Sequence, residues 1–259
     1  MSGNEAVQIE NVSKIFRVVE QGYAGIKGQL GALVKGSKPV YKEIVGLNDV
    51  SLTIHRGETV ALIGRNGNGK STLLSLIAHV MLPDIGTIHF PASADPAHPR
   101  IAPLLEVGAG FHPDLTGIQN LYFNGSILGM TRTDMDIRKQ AILDFADFEE
   151  PRYYNQPVRT YSSGMYSRLG FAVAVHTDPE VILVDETLAV GDEPFQEKCY
   201  AKIREFQQQG RTIILVSHDM EAVRRVATRA VWLKKGVVAA DGNVENVIHA
   251  YHHEFGLPD

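Results

Sequence analysis

The chain has 259 residues, 44% of them hydrophobic and 21% charged, with a formal net charge of −5. That length buries a substantial core as one α/β domain with a smaller inserted one. The acidic balance speaks against nucleic acid as a partner, because phosphate backbones demand clustered Lys and Arg. The single cysteine, Cys199, forms no internal disulfide and fits a reducing cytosol; no signal pattern opens the chain, and no run reaches the roughly eighteen apolar residues of a bilayer span.

In chain order, strands are predicted near 7–18 and 44–54. Between them, Tyr23, Ile26, Leu30, Leu33 and Val34 fall at helical spacing. Lys27, Lys35, Lys38 and Lys42 are interspersed or follow. This predicts a helix over 22–35, although Gly22, Gly25, Gly28 and Gly31 lower its propensity. Apolar Thr59–Ile63 reads as a buried strand. Behind it, Gly64-Arg65-Asn66-Gly67-Asn68-Gly69-Lys70-Ser71 fits the P-loop pattern G-x-x-x-x-G-K-[ST]. Its glycines let the backbone N–H groups of the loop, from Gly64 through Asn66, Gly67, Asn68 and Gly69, turn toward phosphate oxygens. Lys70 would reach the β- and γ-phosphates, and the Ser71 hydroxyl would ligate Mg²⁺. Thr72 opens the apolar spacing of a helix over 70–79. The loop therefore predicts binding of a nucleoside triphosphate.

A turn at Gly86 leads to a short strand at 87–90, and 91–100, rich in Pro, Ala, His and Asp, reads as a loop. From about 106 to 176 the pattern is helical. Thr116 is expected to cap 117–129, Thr133 to cap 134–147, and a further helix covers Met165–His176. The unbroken apolar run Val181–Val184 reads as a strand buried on both faces, ending in Asp185 and Glu186. Asp185 is placed to hold Mg²⁺ through water, and Glu186 to orient or deprotonate an attacking water. Helices near 195–209 and 219–227, strands at 212–217, 230–234 and 237–240, and a last helix over 243–255 complete the map. Nothing matches the N-K-x-D or T-K-x-D base reader of GTPases, so adenine is the expected base. His252-His253 is too sparse for a metal site, and there are no internal repeats.

Tyr161-Ser162-Ser163-Gly164-Met165, with Arg168 three residues on, resembles the L-S-G-G-Q signature of ATP-binding cassette (ABC) proteins. The resemblance runs from about residue 7 to 255. It implies an α/β P-loop NTPase of the ABC ATPase type, with a RecA-like core, an antiparallel β subdomain and an inserted α-helical subdomain. The corresponding boundaries are about 1–105 and 177–240 for the catalytic core, 106–176 for the helical subdomain with the signature, and 241–259 for the C-terminal helix. It also implies that Ser162, Ser163 and Gly164 contact the γ-phosphate held by a second copy, so that a homodimer sandwiches two ATPs. His218 matches the family's switch histidine, which would help order the attacking water, and Asp192 the last residue of its D-loop. Adenine would stack on Phe16, with Tyr41 as rival. Glu106 stands where the family has its Q-loop glutamine, and a glutamate there would ligate Mg²⁺ or water while adding negative charge. Tyr161, Ser163 and Met165 depart from the family's Leu, Gly and Gln.

Leu105–Gly117, the signature and Leu188-Ala189-Val190-Gly191-Asp192 resemble one branch, the polysaccharide exporters. The implied function is ATP hydrolysis coupled to export of a lipid-linked glycan of O-antigen, galactan or teichoic acid type. The implied partners are two copies of an integral membrane permease, at the cytoplasmic face of the inner membrane, where the protein would be peripheral. The helix over 22–35 would lie at the membrane side, its lysines near lipid headgroups. No C-terminal carbohydrate-binding domain is expected. Alternatives are a transporter ATPase for another cargo, a soluble ABC ATPase or a P-loop kinase; the last has no use for the signature, Asp192 and His218 together.

Overall fold

The computed structural model describes residues 4–21, 40–93, 95, 100–104, 108–185 and 191–257. The expected helix over 22–35, Glu106 and Glu186 lie outside the described residues.

Two long strands, β1 (Glu5–Gln21) and β2 (Val40–His55), pair antiparallel, and β4 (Ile85–His89) joins the other side of β1 in a three-stranded sheet. The second sheet has the order β5-β6-β7-β3-β8-β9. It comprises β3 (Thr59–Ile63), β5 (Ile101–Leu104), β6 (Val181–Asp185), β7 (Thr212–Val216), β8 (Arg229–Lys234) and β9 (Val237–Gly242). Every pairing in it is parallel except β8 with β9. The helices are α1 (Lys70–Ile77), α2 (Gly117–Ile127), α3 (Arg132–Ala146), α4 (Ser163–Val175), α5 (Glu193–Gln208), α6 (Met220–Val226) and α7 (Val244–Phe255).

Alternation along the parallel strands explains the layers. Successive strand side chains face opposite ways, so Val60, Leu62, Ile214, Val216 and Leu183 join one core with α1 and the antiparallel sheet. Ile182, Val184, Ile213 and Leu215 join another with Phe195, Cys199, Ile203 and Phe206 of α5. Such strands must be apolar on both faces, which is why Thr59–Ile63 and Thr212–Val216 are fully buried. Each large side chain so buried contributes roughly 1.5–3 kcal/mol. A third core, formed by α2, α3 and α4, holds Leu121, Met135, Ile142, Leu169 and Val173. Helix α4 also gives Phe171, Ala174 and Val175 to the α5 core, so it is buried along both sides and joins the helical cluster to the sheet.

Two local expectations need correction. Helix α3 starts at Arg132 and is capped by Thr131, not Thr133; Thr131 Oγ1 accepts from the Asp134 amide while the Asp134 carboxylate accepts from the Thr131 amide. This reciprocal pair satisfies two amides at once, so it wins over a cap two residues later. Residues 101–104 form the edge strand β5, which the reading of 91–100 as a loop running into helices did not include. Pro103 has no amide to donate, which suits an edge strand. Among the described residues no helix is long and apolar enough to cross a membrane.

Candidate functional site

Strands β6, β7 and β3 lie side by side and run parallel, with Asp185 level with Val216 and Val216 level with Leu62. The loop 64–69, the β6 end at Asp185 and Ser217-His218 therefore lie at one edge of the sheet. Crevices outside the carboxyl ends of parallel strands are where such sheets hold ligands. There a cleft of about 580 Å³ is lined by Asn66, Gly67, Gly69, Lys70, Ser71 and Thr72, by Asp185, and by Phe16, Ile44, Val45 and Gly46 of the antiparallel sheet.

The loop is shaped by close backbone approaches. A Cβ on Gly64 would lie 2.3 Å from the Leu233 carbonyl oxygen, and one on Gly69 would lie 2.5 Å from that of Gly46. Both residues also have positive φ, 143° and 98°, so glycine is required twice over. Asn68 fastens the back of the loop: its Oδ1 accepts from the Lys235 amide at 3.1 Å and its carbonyl from the Gly236 amide at 3.2 Å. The Arg65 guanidinium lies 5.3 Å from the centre of the Phe255 ring of α7. Gly64 and Asn68 thus support the loop from outside the cleft lining, whereas Asn66, Gly67, Gly69, Lys70, Ser71 and Thr72 form its wall.

Lys70 is buried, and its Nζ donates to the carbonyls of Gly64 at 2.7 Å and Arg65 at 3.3 Å. An ammonium held over the loop by its own backbone is pre-positioned for an anion entering the same cleft. Helix α1 alone among the α-helices of the described residues has no side-chain N-cap. The others are capped by Thr116, Thr131, Ser162, Asp192, Asp219 and Asn243. The first turn of α1 thus meets the cleft through Lys70, Ser71 and Thr72 with no side-chain cap, and the positive end of the helix lies there. The Phe16 ring lies against Gly46, where an added Cβ would come within 2.7 Å of it, and forms part of the cleft wall. Tyr41 is 56% exposed and does not line the cleft.

His218 is exposed, two residues past the end of β7, and its turn is fixed on both sides. The Ser217 hydroxyl accepts from the Asp219 amide at 3.0 Å, and Asp219 caps α6 by accepting from the amides of Glu221 and Ala222.

Ser162, Ser163 and Gly164 do not line this cleft. Ser162 caps α4, accepting from the Met165 amide at 3.1 Å, and both serines are exposed. A Cβ on Gly164 would meet only Ser162 Oγ, at 3.9 Å, so the helix end opens outward. Tyr161 points inward instead: its hydroxyl donates to the Tyr153 carbonyl at 2.8 Å, its ring packs edge-on against Phe148, and burial pushes its phenol up to about 12. The Tyr161 departure is therefore absorbed by the helical core. Arg168 ties the same helix to Asp192, N···O 2.5 Å, donates to the Asp147 carbonyl and lies over the Phe195 ring.

Sequence reasoning missed Asn120 and Asn124 of α2. Both are buried; Asn120 Nδ2 donates to the carbonyls of His112, Leu115 and Thr116, its Oδ1 accepts from the His112 amide, and Asn124 donates to the Ala109 carbonyl. Their spacing of four places both on one helix face, a signal that was present in the sequence.

A profile of the ABC transporter family matches residues 47–189. The chain is 41% identical to an O-antigen export system ATP-binding protein RfbB of Myxococcus xanthus over 98% of its own length, spanning 57% of that protein. It is 39% identical to an RfbB of Klebsiella pneumoniae, covering 95% of this chain and 96% of the other. Its fold superposes on a dimeric post-hydrolysis structure of the ATP-binding cassette MJ0796 bound to ADP and Pi, with a TM-score of 0.70 at 23% identity, covering 92% of this chain and 98% of that one.

Proposed function

This chain belongs to the ABC transporter family, and on that premise we propose that it is the ATP-hydrolysing subunit of an exporter of lipid-linked polysaccharide, of O-antigen, galactan or teichoic acid type. The observation that carries the reading is the cleft joining Phe16, Lys70, Ser71 and Asp185, set beside two relatives named for O-antigen export.

In this reading the adenine stacks on Phe16, and the triphosphate lies along the loop 66–69 and the first turn of α1. Lys70 exchanges one of its carbonyl partners for a phosphate oxygen, a charge-assisted bond of about 1.5–3 kcal/mol. Ser71 and Asp185 both line the cleft and offer oxygen donors, a set that suits Mg²⁺. Bound there, the cation would neutralise charge on the β- and γ-phosphates. Glu186, next along the chain, takes the role of general base toward the attacking water, and His218 helps hold that water. Glu106 is assigned to the metal's water shell on sequence grounds alone.

The outward-facing Ser162, Ser163 and Gly164 support a head-to-tail homodimer, because one chain does not bring them to its own cleft. A second copy would present them to the γ-phosphate. ATP then favours the closed pair over the open one, and that difference in affinity drives a shape change. Two permease copies would convert it into transport at the cytoplasmic face of the inner membrane. The clusters around α2–α4 and around the parallel sheet support a helical subdomain over about 106–176, inserted into a catalytic core.

Tagged Glu186→Gln protein, purified from detergent-solubilised native membranes, tests this directly by mass spectrometry of what accompanies it. An integral membrane protein together with polyprenyl-linked glycan is the expected outcome. A membrane partner without glycolipid removes the polysaccharide assignment, and soluble partners alone remove transport.

A further inference from the structure

Tyr166 lies just beyond the signature, one turn into α4, and its hydroxyl donates to the Gly108 carbonyl at 2.8 Å. The Phe111 amide donates to the same carbonyl at 2.9 Å, closing a turn over 108–111. Gly108 has φ 82° and its Cα sits on the Tyr166 ring, since an added Cβ would come within 2.4 Å of Cε1. The Phe111 ring packs against Tyr166 with centroids 5.1 Å apart. From the other side Asn124 of α2 donates to the Ala109 carbonyl at 2.8 Å. The turn is thus held between two helices, and Tyr166 is its only hydrogen-bond donor from α4 among the described residues.

This turn opens the described chain after β5, the strand that pairs with β6 beside Asp185. Helix α4 begins at the other end of the tie, where Ser162 caps it and Gly164 faces outward. We propose that Tyr166 is a positioning residue that locks the turn 108–111 to the signature helix, so that the state of one ATP cleft sets the placement of Ser162–Gly164, which serve the other. The proposal rests on the head-to-tail dimer described above. A phenol suits this role, because the ring fills the space under Gly108 and the hydroxyl fixes the register of turn on helix. A tyrosine hydroxyl is protonated at neutral pH in any case, and burial raises its pKa further.

The test compares full-length wild type with Tyr166→Phe, which retains the ring, and Tyr166→Ala, which does not. ATP affinity is measured on each by titration calorimetry, and hydrolysis is followed against ATP concentration. Tyr166→Phe should bind ATP as wild type does, with a melting temperature lowered by no more than the roughly 2–4 °C that one lost hydrogen bond costs. Its kcat should fall about 5- to 10-fold, the size of one lost hydrogen bond, and its Hill coefficient should drop to 1 from a wild-type value above 1. Tyr166→Ala should lose more kcat with the same unchanged affinity. A Tyr166→Phe variant with wild-type kcat and Hill coefficient overturns the proposal. So does a wild-type Hill coefficient of 1, or a fall in kcat matched by lost ATP affinity and a melting temperature lowered by well over the few degrees of one hydrogen bond. Light scattering of Glu186→Gln with ATP separates the two layers: if no dimer forms, the dimer reading fails, whereas a dimer with an inert Tyr166→Phe sinks only this inference.

Discussion

The P-loop corner and the signature corner are both anion sites in prospect, yet they are built in opposite ways. At the P-loop the backbone is the working surface. Its glycines are dictated by contacts behind it, its lysine is already seated on loop carbonyls, and its helix lacks a side-chain cap. At the signature the helix is capped by its own Ser162, the preceding Tyr161 is turned into the core, and the free edge looks outward. The first corner lines a cleft of its own chain; the second, among the described residues, lies outside that cleft. The difference fits a P-loop that matches its motif at every fixed position, while the signature departs from L-S-G-G-Q at three positions and is still a capped helix start.

The sharpest way to break this comparison is at Gly64. Gly64→Ala puts a Cβ 2.3 Å from the Leu233 carbonyl at φ 143°, so overpacking and backbone strain together should cost roughly 3–4 kcal/mol. Thermal unfolding should move down by about 10 °C for a chain of this size. Gly67→Ala is its partner experiment. Gly67 has φ 79° but nothing within 4 Å of its Cβ position, so only the left-handed backbone cost of about 1–2 kcal/mol remains. Equal losses would mean that backbone approach does not shape the loop. Next in size is Lys70→Ala, which should weaken ATP binding by about 10- to 100-fold in calorimetry, the worth of one charge-assisted bond. Ser162→Ala should leave single-chain ATP affinity untouched. It should lose about 1 kcal/mol of stability as a cap is removed and lose ATP-driven dimerisation in light scattering. If Ser162→Ala weakened single-chain binding as Lys70→Ala does, the two corners would not be separate.

The P-loop corner was legible because its parts are contiguous. Apolar Thr59–Ile63, the glycine pattern and the helical run after Lys70 stand within about twenty residues and obey one motif. The strand ends at Asp185 and His218 were legible for a related reason: Val181–Val184 and Ile213–Val216 are apolar without alternation, as strands covered on both faces must be. What was not legible depends on which backbone groups a side chain meets once the turns have folded. Asn120 and Asn124 read as ordinary polar positions on a helix, although Asn120 is fully buried against the carbonyls of the turn that leads into its own helix. β5 has only four residues, one of them Pro103, so neither alternation nor an apolar run announces it. Thr131 was a missed local signal, since Thr131-x-x-Asp134 satisfies the capping-box pattern that Thr133 does not.

Tyr161 offers the finest test of the claim that the signature's departures are absorbed inward. Removing its hydroxyl with Tyr161→Phe deletes the bond to the Tyr153 carbonyl and should cost about 1 kcal/mol near pH 8. The sign of the pH dependence then separates an inward from an outward ring. Burial pushes the Tyr161 phenol up to about 12 from its ordinary 10, so the folded state binds this proton more tightly than the unfolded state does. Its contribution is fully present below pH 10 and is lost as the pH rises from 10 to 12. Other tyrosines titrate in the same range, but they do so in both proteins, so the difference between wild type and variant isolates position 161. Chemical denaturation across pH 8–12 should show wild type ahead at pH 8 and its lead shrinking steadily above pH 10. A lead that stays constant to pH 12 would mean the ring is solvated, and the signature's first residue would then belong to the exposed edge rather than to the core.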